Sequence, residues 1–155
     1  GILRRCRDSR IKLIQKLKHK NPDSTIHALK DQAEYSDLEE DEIELVKGTL
    51  RNRDLLYQGL GELEKDEPNH ELIGSLFTEH HAELRDVLKV STQKIESMLD
   101  AALDAGSLGG KINGSGGGGC MFAYARGNSN EVAEAIEKVG GEAYIVTSDK
   151  GTIIN

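Results

Sequence analysis

The sequence predicts an α+β domain in which helices pack on one face of a small antiparallel sheet. Two observations carry this. Apolar residues recur at helical spacing through roughly the first hundred positions, and the pattern then gives way to short β-branched and aromatic runs separated by glycines. Helices first and strands afterwards is the order of an α+β domain rather than of alternating parallel units.

The elements follow in order. Cys6, Leu13, Ile14 and Leu17 lie at helical spacing, and Asn21-Pro22 stops that run. Ser36-Asp37-Leu38-Glu39 has capping-box form ahead of Ile43, Val46 and Leu50, a stripe that continues to Leu60. Pro68 suits the first turn of a helix carrying Leu72, Ile73, Leu76, Phe77, Leu84 and Leu88. Ser91 can cap a further helix with Ile95, Met98, Leu99, Ala102 and Leu103, closed by Gly106. Strands are expected at about 111–114, 121–126 and 142–147, with a helix begun near Asn128 and ended at Gly140-Gly141 between the last two. Thr152-Ile153-Ile154 can extend the sheet. The whole reads as one domain, a helical lead over 1–67 and a core over 68–155.

Composition narrows the function. The chain has 155 residues and a net charge of −7, which argues against a nucleic-acid partner. Its apolar runs are too short to span a membrane, and no secretory signal pattern opens it. Cys6 and Cys120 are far apart and form no disulfide framework or metal-ligand spacing, which fits a cytoplasmic location. The first twenty residues carry eight Lys or Arg against one acid, whereas the stretch from Asp37 to Glu67 is strongly acidic. We read the basic face as the partner of the following acidic helix. Gly1 in place of Met suggests a piece of a longer chain.

One segment looks chemical. Gly114-Ser115-Gly116-Gly117-Gly118-Gly119 lies between two strand candidates, where backbone N–H groups can turn inward as a nest for an anion. Such conformations need positive φ, which glycine supplies. A flexible linker is the competing reading, and the strand-like flanks speak against it. The segment is not the common phosphate loop, since no Lys follows Gly119. His80-His81 cannot chelate one metal from a single helix, because neighbouring residues diverge by about 100°. Cys120 has no evident base, and Asp86 and Asp100 read as solvated or capping carboxylates.

Gly106 through Cys120 closely resembles the third conserved motif of the GHMP kinases, with Ser115 in place of the commoner alanine. His81-Ala82-Glu83-Leu84-Arg85-Asp86 and Val90-Ser91 resemble the preceding galactokinase helix, so galactokinases rank first and mevalonate kinases second. The resemblance implies the ferredoxin-like C-terminal domain of a kinase that uses ATP and Mg²⁺. In a galactokinase-like enzyme the γ-phosphoryl passes to a sugar hydroxyl. It places Gly114, Ser115, Gly116, Gly117, Gly118 and Gly119 near phosphate and substrate, and assigns no catalytic or metal residue within the chain. The family's Gly-Leu-Gly-Ser-Ser nucleotide motif does not occur here, so an N-terminal kinase domain is expected as the missing partner. The chain alone is then expected to be inactive, to bind no ATP or Mg²⁺, and to self-associate through an open sheet edge. A non-catalytic binding module of the same fold is the alternative.

Overall fold

The structure is a computed structural model, and it describes residues 1–20, 25–29, 35 and 37–148. Its elements are α1 (Ile2–Lys20), a 3-10 turn (Ile26–Ala28), α2 (Glu40–Leu63), α3 (His70–Asp86), α4 (Gln93–Asp104), β1 (Gly109–Asn113), β2 (Cys120–Tyr124) and α5 (Ser129–Lys138).

The first half folds around its own apolar cluster. Leu13 and Leu17 of α1 meet Leu29, Tyr35 and, from α2, Val46, all buried, while Ile14 is turned outward. Lys16 pairs with Glu42, so the basic helix does find its partner in the acidic one. The α2 cap differs from expectation. Glu39 and Glu42 form the capping box, each side chain taking the other's backbone N–H, and Ser36 lies outside the described residues. The apolar stripe of α2 is also only half used. Leu55 is buried, but Leu56, Tyr57, Leu60 and Leu63 remain exposed.

Helix α3 begins at Asn69, not in a first turn holding Pro68. The Asn69 side chain accepts the N–H of Leu72, and Glu62 at the end of α2 accepts the N–H of Asn69 at 2.7 Å. Helix α4 is capped by Thr92 rather than Ser91, whose hydroxyl donates to Glu96. Gly106 closes α4 at φ 89, the left-handed position expected of it. Asn128 precedes α5, but its side chain donates to the carbonyls of Ala105 and Gly106 instead of capping.

Strands β1 and β2 pair antiparallel, with Lys111 opposite Phe122 and Ile112 opposite Met121. Alternation then sends Ile112 and Met121 to one face. That face is covered by Ile95, Met98 and Leu99 of α4, with Ile136 of α5 behind. Helix α3 runs along the free edge of β1. Its Phe77 reaches over the opposite face to meet Phe122 edge-on at 4.9 Å. The expected third strand does not form. Residues 142–147 pair with neither strand, and Tyr144, Ile145 and Val146 are 75%, 55% and 84% exposed. The expected extension at Thr152-Ile153-Ile154 lies outside the described residues.

The approach of α3 to β1 is backbone on backbone. A β-carbon on Gly74 would lie 2.2 Å from the Leu108 carbonyl oxygen, and one on Gly109 would lie 1.8 Å from the Gly74 oxygen. Both distances are far inside van der Waals contact, and neither neighbour is a side chain that can swing away. Gly74→Ala is therefore expected to lower stability by about 3 kcal/mol. Gly61→Ala is the opposite case, since nothing lies within 4 Å of its added carbon in α2. It should leave stability unchanged or raise it by up to ~1 kcal/mol. Urea unfolding of the two variants checks both signs.

Candidate functional site

The six-residue loop joins β1 to β2, and Asn113 and Cys120 at its two ends face each other as a ladder pair. A free linker would not be held in this way. Five of its six residues have positive φ: Gly114 at 76, Gly116 at 81, Gly117 at 79, Gly118 at 122 and Gly119 at 87. A non-glycine residue pays a strain of about 1 kcal/mol or more for such a conformation. Ser115 is the member outside that region, so the one non-glycine residue sits where a side chain is tolerated.

The loop has a supported and an open side. Gly117 donates its N–H to the Val90 carbonyl at 2.6 Å, and a β-carbon on Gly116 would strike the Val90 side chain at 2.6 Å. Gly114, Gly118 and Gly119 have nothing within 4 Å of where a side chain would start. Backbone on that side is therefore reachable by a ligand, which is the arrangement an anion nest requires. Cys120 is exposed.

Behind the loop lies a polar network that the sequence did not announce. His81 of α3 is 4% exposed. Its Nδ1 accepts the Ile112 N–H at 3.2 Å, and its Nε2 lies 2.9 Å from a Glu96 oxygen. A backbone N–H can only donate, so His81 carries its proton on Nε2 and gives it to Glu96. One imidazole thus joins α3, β1 and α4. Burial raises the Glu96 carboxyl pKa, but the hydrogen bonds from Ser91 and His81, with the nearby positive charge of Arg85, together leave the group below its ordinary value of 4.5. Its neighbour His80 turns elsewhere, and burial followed by the nearby Lys111 charge lowers its pKa. Lys111, lowered by burial alone, stacks over Phe122 with Nζ 5.6 Å from the ring centre. Among the described residues no cluster of three or more His, Cys, Asp or Glu side chains is placed to hold a metal ion. Asp100 is exposed on α4. Asp86 is tied to Arg85 at 2.7 Å.

The model described as GHMP kinases C terminal matches residues 60–142, and the chain belongs to that family. The mevalonate kinase of Pyrococcus abyssi is 45% identical over 50% of this chain and 23% of its own length. That of Thermococcus onnurineus is 48% identical over 51% and 24%. A galactokinase of Clostridium perfringens is 38% identical over 50% and 20%. The chain thus spans about a quarter of the length of the mevalonate kinases it matches. By identity these mevalonate kinases stand ahead of the galactokinase, the reverse of the order suggested by His81 through Ser91.

Two outcomes follow from the network. His81→Phe fills the space but strands the Ile112 N–H and takes one donor from the Glu96 carboxylate, and should cost about 1–3 kcal/mol in urea unfolding. Glu96 has a folded pKa below its unfolded one, so its stabilisation is complete above about pH 4.5 and is lost as pH falls through the lowered value. Glu96→Gln should flatten the acid limb of the unfolding midpoint measured from about pH 7 to about pH 3.

Proposed function

We propose that this chain is the C-terminal part of an ATP-dependent small-molecule kinase, which passes the γ-phosphoryl group of ATP to a substrate hydroxyl. The observation that carries the reading is the loop itself, with five positive-φ glycines held from behind by Val90 and open in front at Gly114, Gly118 and Gly119. Reachable amide dipoles suit a phosphate or the charge that develops on a transferring phosphoryl group. In this reading Gly114 through Gly119 bind and orient. They neither accept nor donate the reacting proton. Mg²⁺ would travel with the nucleotide and supply charge neutralisation between its phosphates.

Among substrates, a mevalonate-type hydroxy acid is the first candidate, because identity to the two mevalonate kinases is 45% and 48%. A sugar is second, on the 38% identity to the galactokinase and on the helix signature from His81 to Ser91. The polypeptide that completes the kinase would carry the Gly-Leu-Gly-Ser-Ser type motif, and the exposed Tyr144, Ile145 and Val146 offer an apolar surface for it or for self-association. Two unpaired cysteines agree with a reducing, cytoplasmic setting.

Coupled ADP release is the test. The 155-residue chain alone should give no turnover with mevalonate or galactose. The kinase that contains it should turn over one of the two, and Gly117→Val in that kinase should cut kcat at saturating ATP at least about tenfold, since φ 79 disfavours a β-branched residue. Unchanged kcat would return the loop to a mere connection. Turnover by the isolated chain would remove the division of labour.

A further inference from the structure

We propose that Arg5, near the start of α1, is a positioning residue for the glycine loop, acting through the Leu88–Val90 connection. The inference rests on the kinase reading only for its consequence in catalysis, since the geometry stands by itself.

The connection between α3 and α4 is an unusual piece of backbone. Lys89 has φ 52, the only non-glycine residue with positive φ among the described residues. The turn it makes brings the Val90 N–H back to the Leu84 carbonyl at 3.0 Å and buries the Val90 side chain. The Val90 carbonyl then points at the loop and takes the Gly117 N–H at 2.6 Å, while Gly116 lies against the Val90 side chain. Where Val90 stands therefore decides where the middle of the loop stands.

Lysine does not hold a left-handed conformation by preference, so something must hold it. Arg5 does. Its Nη2 donates to the Lys89 carbonyl at 3.0 Å and lies 3.5 Å from that of Leu88, and the Cys6 thiol donates to the Leu88 carbonyl at 3.2 Å. These carbonyls lie just past the C-terminal end of α3, and a fixed guanidinium is the side chain best matched to two of them. The same first turn of α1 sets Ile2 against the loop, 4.0 Å from where a Gly117 side chain would begin. The first turns of α1, the α3–α4 connection and the loop thus form one stack, although α1 lies more than eighty residues from the other two in sequence.

Arg5 is solvent-exposed, so its removal should leave the fold intact. The test is peptide-resolved amide hydrogen exchange on the intact chain for wild type, Arg5→Ala, Arg5→Lys and Arg7→Ala. Arg7 lies on the same helix and pairs with Asp8, so its loss controls for charge alone. Arg5→Ala should speed exchange over 114–120 at least about tenfold while α4 stays at the wild-type rate. Arg5→Lys should recover part of the protection, and Arg7→Ala should change nothing. Unchanged exchange in the loop, or a uniform rise across α3 and α4, would overturn the proposal. Steady-state kinetics of the same variants in the complete kinase separate the two claims. A loosened loop with unchanged kcat and KM leaves Arg5 as the positioning residue and removes the loop from catalysis.

Discussion

Around Gly74 and Gly109, helix α3 meets strand β1 with no side chain between them. At Gly74 and Gly109 the two backbones come so close that a single carbon on either would overlap a carbonyl oxygen. Such proximity puts the imidazole of His81, two turns further along α3, within hydrogen-bond reach of the Ile112 N–H. The edge of β1 is then satisfied by a side chain instead of by a third strand. An exposed strand edge invites pairing with other chains, and here a helix closes it. A two-stranded hairpin is marginal by itself, and this one persists because α3 and α4 flank it.

The same contact places the loop. With β1 fixed against α3, the hairpin turn falls beside the C-terminal end of that helix, where Val90 supports Gly117. His81, Glu96 and Ser91 tie α4 into the same arrangement, so three elements share one polar knot inside an otherwise apolar core. Buried polar groups of this kind are costly unless every member is satisfied, which makes the knot specific about geometry. The open face of the loop inherits that rigidity.

Much of this was legible in the sequence. The helices, the two paired strands, the glycine loop and its backbone character all follow from spacing and residue type. The parts that were not legible depend on partners distant in the chain. Residues 142–147 have strand composition, but a strand exists only when another pairs with it, and none does among the described residues. Competing side chains shifted the helix starts, with Thr92 capping α4 because the Ser91 hydroxyl is taken by Glu96. His81 looked like half of a doubtful metal pair, because nothing local announces that a backbone N–H will face it. An isolated glycine inside the apolar pattern of α3 costs helix stability, so Gly74 already asked for a close neighbour.

The joint between α3 and β1 holds the rest of the structure in place, and the Ile112 amide reports on it most directly. Native-state hydrogen exchange in increasing denaturant follows that single proton. If the joint is the structural constraint described, Ile112 exchanges only through global unfolding, with the full denaturant dependence of the core. Exchange by a local opening insensitive to denaturant, at a rate closer to that of the loop amides, would contradict it.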